Sequence, residues 1–370
     1  MHRKANYCVI LATMTLHIFN PEHDIALAKN IYRFTPPKAG RGLREDLDFL
    51  PALWAQADDC VLVGDELTAH RHVEDLQWEA ENIHFVSTKN ITKLLKDNVI
   101  NAIAPWGWDR SIAFELQKMG LQIPYNSQQL DELRRVSSRQ WSADHLVSPL
   151  QQLDDRIFCG AHYYNNADEA LECLRRELPC VAKAPWSSSG RGVRFFRQPS
   201  HISQQSSWVR SVVSAQGGIL VEPFCDNKIA DFGMEFTALP HGGVRYDGLS
   251  LFSADHGQYT GNLVASETTK RQWLSQWMDD RLLDAVSAHL CDELARLLPP
   301  FYAGPLGVDM LLFRREDRVW LNPCIELNLR NTMGHVALHL FQRQPSAAPH
   351  RMQIRFDGQH YHFLLASAQL

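Results

Sequence analysis

Three groups of residues in this chain could do chemistry together. They are a lysine closing an apolar run, a tract of small hydroxylic residues after it, and a pair of acids on a later hairpin. The lysine is Lys183, at the exit of Cys180-Val181-Ala182. After Ala184-Pro185-Trp186 come Ser187-Ser188-Ser189-Gly190-Arg191-Gly192, and apolar sequence resumes from Val193 to Phe196. Strand, small-residue loop, strand is a layout for gripping anionic oxygens, because backbone N–H groups and hydroxyls can converge where no bulky side chain keeps the chain away. Lys183 and Arg191 bracket the loop with the positive charge that polyphosphate requires. No Gly-Lys-Ser/Thr opens a helix here, and there is no G-x-G-x-x-G turn, so neither a Walker A loop nor a dinucleotide fingerprint is present. Taken alone, the stretch reads equally as a surface hairpin with a polar tip.

The acids lie further on. Gly307 to Phe313 and Val319 to Asn328 are two apolar runs joined by the charged tip Arg314-Arg315-Glu316-Asp317-Arg318, which reads as a β-hairpin. Asp309 sits on the first strand and Glu326 on the second, with Asn328 two positions on and therefore on the same face. Strands built from Val, Met, Leu, Phe and Ile do not carry two carboxylates and an amide inward without a partner. Three hard oxygen donors suit Mg²⁺, which keeps its other positions for water and phosphate. Exposure of both acids on a solvated sheet face is the competing reading. Arg330 continues the same parity and would point into the same site, where it could hold a carboxylate or an acyl-phosphate oxygen.

The elements that must position these groups follow from the pattern on either side. From Leu16 to about Val136 short apolar runs (Leu16–Phe19, Cys60–Asp65, His84–Val86, Ala102–Pro105) alternate with helical patterns such as Ile91–Lys96 and Ser111–Met119. That alternation predicts a parallel, doubly wound α/β sheet whose ligands lie beyond the C-terminal strand ends. Two loops fall there, Asn20-Pro21-Glu22-His23-Asp24 and Pro105-Trp106-Gly107-Trp108-Asp109. We read His23 and Asp24 as structural, with Asp24 capping the helix Ile25–Lys29, and ligand contact as the alternative. The Trp-Gly-Trp loop reads as packing between domains or as part of a site. A helix from Ser137 to about His145 opens a second section, and an amphipathic segment from Ala161 to Leu178 feeds the Lys183 strand. Ser203–Val213 is a further helix, and Gly218–Phe224 a strand ending in Glu222-Pro223. Asp231–Thr237 and Val244–Phe252 read as antiparallel strands, Gln272–Leu298 as at least one long helix, and Gly257–Asn262 as a surface loop that could cover an acceptor. The domain expectation is an N-terminal α/β unit over 14–136, a central unit with the loop over 137–220, and a C-terminal unit with the acids over 221–370.

Bulk properties narrow the class. The chain has 370 residues, 45% apolar and 21% charged, and a net charge of −5, so it offers no basic field for nucleic acid or an anionic membrane. Eight cysteines occur without a C-x-x-C pair, which points to reduced thiols in a cytoplasmic protein. No run approaches the roughly 20 apolar residues of a membrane span. Arg3 and Lys4 before Tyr7–Ala12 loosely imitate a leader, but the apolar run is short and no clear cleavage site follows. We expect a start at Met14 instead, with the residues before it dispensable. Seventeen histidines make a chance neighbour of any site common, and none is assigned a role.

Taken as an ordered set, these segments resemble the ATP-grasp superfamily. Lys183 with its Ser-Ser-Ser-Gly-Arg-Gly-Val loop, Ile219–Phe224, Gly307-Val308-Asp309 and Ile325-Glu326-Leu327-Asn328-Leu329-Arg330 carry the resemblance, which covers about Ser137 to Met333. It implies an ATP-grasp fold, α/β and α+β, with ATP between two α+β subdomains behind an N-terminal α/β domain. By the same resemblance Lys183 contacts ATP phosphate and Ser187, Ser188, Ser189, Gly190, Arg191 and Gly192 close over the triphosphate. Glu222 and the backbone near Phe224 read adenine, and Asp231, or alternatively Glu235, holds the ribose. Asp309, Glu326 and Asn328 match the positions for one or two Mg²⁺ ions, with Mn²⁺ as a substitute. Arg139 stands where the family often has lysine, and Arg330-Asn331-Thr332-Met333-Gly334 replaces the more usual Pro-Gly ending. The implied activity is an ATP-dependent ligation of a carboxylate to an amine or thiol through an acyl phosphate. Lys183 and Arg330 carry the catalytic roles. The alternatives are a small-molecule kinase on the same scaffold and a nucleotide-binding protein without turnover.

Overall fold

The computed structural model describes residues 14–368, apart from 79, 81, 97–99, 188, 189, 191, 256 and 257. The residues expected to be dispensable before Met14 thus lie outside the described residues, as do Ser188, Ser189 and Arg191 of the loop.

Four strands build the N-terminal sheet: β1 (Met14–Ile18), β2 (Cys60–Val63), β3 (His84–Ser87) and β4 (Ile100–Pro105). They are all parallel, in the order β3-β2-β1-β4. The chain winds from β1 to one side and returns to β4 on the other, so the switch point, where such sheets bind ligands, lies between the ends of β1 and β4. Both loops expected there are present and locked together. Trp106 N–H donates to Ile18 O (2.7 Å), Asn20 Nδ2 donates to Gly107 O (2.9 Å), and His23 Nδ1 lies 2.9 Å from Asp109 Oδ2. Asp109 also caps the helix Arg110–Lys118 by accepting from Ser111 and Ile112 N–H.

A small sheet of order β5-β8-β6-β7 follows, made of β5 (His162–Tyr164), β6 (Cys180–Lys183), β7 (Val193–Phe196) and β8 (Ile219–Pro223). Its pairings are antiparallel, and Lys183 faces Val193 across the loop. The helices Ala167–Arg176 and Pro199–Gln216 cover it through Leu171, Leu174, Val209 and Val212. The amphipathic segment expected from Ala161 is thus part strand and part helix. Asn166 sets the boundary by accepting from Asp168 and Glu169 N–H.

The third sheet has seven strands in the order β13-β12-β9-β10-β11-β14-β15. These are β9 (Lys228–Ala238), β10 (Val244–Asp255), β11 (Gln258–Val264), β12 (Gly304–Arg315), β13 (Arg318–Asn328), β14 (His350–Phe356) and β15 (Tyr361–Ser367). Its largest core packs Phe232, Met234, Phe236, Val308 and Met310 against Leu283, Val286, Leu290 and Leu294 of the helix Asp280–Leu297. Those helix positions recur at spacings of three and four, which puts them on one buried stripe. A loop was expected over Gly257–Asn262, yet from Gln258 on this segment is strand β11. Its partners are β10 and, some ninety positions downstream, β14, so the pairing is set by long-range contact rather than local preference. Gly257 lies outside the described residues.

The N-terminal sheet is bound to this third sheet at several points. Arg343, ending the helix Met333–Arg343, donates to Leu53 O (2.6 Å) and Ala55 O (3.0 Å). Asn331 N–H donates to Trp106 O (2.8 Å). Arg330 grips Asp24 with two bonds, Nε to Oδ1 (3.0 Å) and NH2 to Oδ2 (2.8 Å). Burial alone would raise the Asp24 carboxyl, but the charges of Arg330 and His23 beside it hold it below the usual range. Asp24 therefore does not cap the helix as expected, since the helix runs from His23 to Lys29 with Glu22 at its N-cap; its carboxylate docks one sheet on the other. Removing it would leave a largely buried guanidinium without its anion, so Asp24→Ala is expected to cost about 3 kcal/mol in urea unfolding. An unchanged unfolding midpoint would mean that the clamp contributes nothing to docking.

Candidate active site

The loop between β6 and β7 is held close to its own base. Gly192 O accepts from Ala184 N–H (2.8 Å), and a Cβ at Gly192 would lie 2.3 Å from the Cβ of Ser187, so only glycine fits there. Gly190 has φ 71°, the left-handed region that reverses the chain before β7. Lys183 leaves β6 buried, its Nζ 2.6 Å from Glu222 Oε2 on the adjacent β8. The expected phosphate cation and the expected adenine-reading acid are therefore neighbours, paired with each other. Phe224 follows β8, packs edge-on against Phe195 (5.7 Å), and donates its N–H to Pro179 O.

The acidic hairpin is placed by register. Asp309 on β12 pairs directly opposite Glu326 on β13, and Gly307 opposite Asn328. Asn328 Nδ2 donates to Asp309 Oδ2 (3.2 Å), and Arg330 NH2 donates to Asn328 Oδ1 (2.8 Å). Asp309, Glu326, Asn328 and Arg330 thus share one face, as the strand parity predicts. Arg330 is not a free cation, however. Bonds to Asp24, Asn328 and Asn331 O leave only one N–H of its NH1 for anything else.

Arg139 joins the two halves. Ser138 caps its short helix by accepting from Trp141 N–H, which turns the Arg139 side chain inward. NH1 donates to Ala184 O (2.7 Å) and Ser187 Oγ (2.8 Å), while NH2 donates to Glu326 Oε2 (2.8 Å). One buried guanidinium thereby spans from the loop base to the acidic hairpin, and its Nε–H has no partner. The loop base and the acids face one cleft of about 440 Å³, lined by Arg139, Ser187, Gly190, Asp309, Glu326, Asn328 and Arg330, with Glu22, Asp24 and Trp106 from the N-terminal loops, while Lys183 and Glu222 are not among its lining residues.

The two candidates for a ribose-holding acid part company. Asp231 accepts from Lys228 Nζ (2.6 Å) and lines a different cavity with Trp273 and Arg351. Glu235 lines the cleft that holds Asp309 and Glu326, buried beside Thr332, whose Oγ1 donates to its Oε2 (2.8 Å). A Cβ at Gly334 would fall 1.9 Å from Glu235 Oε1, so glycine there makes room for the carboxyl. Sequence reasoning assigned neither Thr332 nor His335 a role at the site. His335 packs 3.1 Å from the same carboxyl, and burial takes its imidazole down to about 4. It is therefore neutral at pH 7 and adds no positive charge.

Charge in this cleft is left unbalanced. Desolvation, then the neighbouring Glu326 and Glu235, push Asp309 up to about 8, and burial pushes Glu235 up to about 7. Among the described residues no three His, Cys, Asp or Glu side chains form a metal cage. Two carboxylates and an amide do suit a hard cation that keeps sites for water and phosphate.

No family model matches the chain. It is 32% identical over 148 residues to a formate-dependent phosphoribosylglycinamide formyltransferase of Nitratidesulfovibrio vulgaris, covering 39% of this chain and 33% of that protein. The chain thus matches about a third of that relative's length. Its fold is like N5-carboxyaminoimidazole synthetase of Staphylococcus aureus complexed with ADP, at TM-score 0.51 and 12% identity, covering 93% of this chain and 82% of that one. The chain has the ATP-grasp fold. A second ATP-grasp neighbour is the biotin carboxylase domain of Hydrogenobacter thermophilus 2-oxoglutarate carboxylase, with MgADP, ADP and bicarbonate. There the TM-score is 0.53 and the identity 13%, over 92% of this chain and 74% of that one. The superfamily resemblance drawn from Lys183, Glu222, Asp309 and Glu326 holds at the level of the fold. No helix among the described residues is long and apolar enough to cross a membrane.

The raised carboxyls set the pH response. Asp309 and Glu235 bind protons more tightly folded than unfolded, so their contribution to stability falls as pH rises from about 4 towards 8. Metal binding must expel the Asp309 proton, so Mg²⁺ with ADP is expected to raise the melting temperature more at pH 8.5 than at pH 6. Asp309→Asn is expected to abolish that Mg²⁺ effect and to make the ligand-free protein more stable than wild type at pH 8.5. Thermal shift at the two pH values checks both.

Proposed function

We propose that this chain is an ATP-dependent ligase that activates a carboxylate as its acyl phosphate and joins it to an amine, or a thiol, releasing ADP and phosphate. The observation that carries this reading is the Arg139 bridge, which puts the loop after Lys183 and the acidic hairpin on one cleft. The relatives support it in kind. One is named for formate and a glycinamide acceptor, one holds ADP, and one holds MgADP with bicarbonate.

In this reading Asp309, Glu326 and Asn328 hold Mg²⁺, which when bound neutralises phosphate charge. Arg139 already has an unused Nε–H at the loop and meets the phosphates there. Lys183 exchanges Glu222 for phosphate, which frees the Glu222 carboxylate toward the base. Ser187, Ser188, Ser189, Gly190, Arg191 and Gly192 close over the triphosphate with backbone and hydroxyl donors. Glu235, on the cleft floor, is the acid available for ribose; Asp231 lies too far round the sheet to be preferred. Arg330 offers its remaining N–H to the substrate carboxylate, held in place by Asp24.

The chemistry then needs positioning more than a protein nucleophile. A carboxylate oxygen attacks the γ-phosphorus, the bond to the bridging oxygen breaks, and ADP departs with that electron pair. Arg139 and Lys183 would meet the charge that builds during this step and so lower its cost. The amine nitrogen next attacks the acyl carbon, the C–O bond breaks, and phosphate carries away the pair while nitrogen loses a proton.

Mg²⁺-dependent ADP release across mixtures of acids and amines tests this. Full turnover is expected only with both partners present, and Lys183→Ala or Glu326→Gln is expected to lower kcat by roughly a hundredfold or more. Turnover on a hydroxyl acceptor with no acid would make the chain a kinase. Tight nucleotide binding with no release under any mixture would leave it a binding protein.

A further inference from the structure

The cleft extends beyond the phosphate and metal end, and its far walls hold buried polar atoms that nothing in the chain satisfies. Glu22, on the loop after β1, is 7% exposed and lines the cleft. Its Oε1 accepts from Arg44 NH1 (3.1 Å), but its Oε2 has no partner. Arg44 is committed elsewhere by two bonds to Glu115 (2.7 and 3.0 Å). Two carboxylates share one guanidinium, which leaves one negative charge in excess. Desolvation raises the Glu22 carboxyl, against the pull of Arg44, because burial disfavours its charged form.

Two more orphans lie on β11. Asn262 is 1% exposed and donates from Nδ2 to Ser250 Oγ (2.7 Å). Ser250 lies beside the Glu235 carboxyl and works against the rise in its pKa. Asn262 Oδ1 is an acceptor without a donor, and the Tyr259 hydroxyl is also unpartnered. Both residues line the same cleft as Glu22. An anion and an amide oxygen lacking donors call for a ligand rich in N–H. Among the described lining residues the only cations are Arg139 and Arg330, both at the metal end and both already paired. The surrounding wall is apolar, with Ile25, Leu43, Met333 and Ile354.

We propose that this end of the cleft is the acceptor subsite and that it takes a primary amine, bound as its ammonium on an apolar body without phosphate, positioned by Glu22 and Asn262. The assignment of the acceptor rests on the ligase reading, but the binding preference is measured without turnover. Calorimetry with n-butylammonium and with O-phosphoethanolamine, on protein loaded with Mg²⁺ and a non-hydrolysable ATP analogue, tests it. Wild type is expected to prefer n-butylammonium. Glu22→Gln, which keeps an acceptor for Arg44, is expected to weaken that binding at least tenfold with nucleotide affinity unchanged. Should Glu22→Gln fail to fold, Asn262→Leu carries the test, with at least a threefold loss expected. Equal affinity in wild type and the folded variant, equal binding of 1-butanol, or preference for the phosphorylated amine would overturn the proposal. If the amine binds through Glu22 while no acid–amine mixture releases ADP, the ligase reading fails and the ammonium site stands.

Discussion

Arg139 is buried between groups that would otherwise repel or starve one another. It supplies donors to Ala184 O and Ser187 Oγ at the base of the loop and a counter-charge to Glu326 on the hairpin. Without it the loop base would leave a carbonyl and a hydroxyl short of a donor, and Glu326 would lose the guanidinium paired with it. The same pattern recurs around the cleft. Lys183 rests on Glu222, Arg330 on Asp24 and Asn328, and Arg44 on Glu22 and Glu115. Each pair keeps a charge from being buried alone, a state that costs several kcal/mol per ion.

The N-terminal sheet matters to this arrangement through few contacts. Asp24 holds Arg330 in a two-bond fork and so sets where its remaining N–H points. Trp106 and Gly107 meet Asn331 and Arg330 through the backbone. A loop of the parallel sheet thereby aims a residue of the seven-stranded sheet, which couples the shape of the N-terminal loops to the Asp309 and Glu326 end of the cleft. Glu235 shows the opposite economy: Gly334, Thr332 and Ser250 close round it, so its carboxyl is desolvated and its pKa raised to about 7.

Much of the site was legible because strand parity is rigid. Asp309, Glu326, Asn328 and Arg330 could be put on one face from their spacing alone, since alternate residues of a strand share a side. Lys183 at a strand exit before a run of small residues was equally readable. Glu22, Asp24 and Arg44 were not, because each resembles an ordinary capping or surface residue until its distant partner is known. The strand β11 escaped for the same reason: residues 258–264 have modest local preference, and pairing with β14 decides them. Asp231 and Glu235 have the same parity on one strand, so no local signal could tell which end of β9 reaches the cleft.

Sequence by itself determined the alternation that builds the parallel sheet, the hairpin that pairs two acids, and the short loop of small residues after Lys183. These are local properties, written in periods of two and 3.6 residues and in the chemistry of glycine and serine. Tertiary structure alone decided that Arg139 would span the loop and Glu326, that Asp24 would restrain Arg330, and that Glu22 and Asn262 would be left with unspent acceptors. Those outcomes depend on pairs separated by tens to hundreds of positions, whose charges meet only once three sheets have closed around a common cleft.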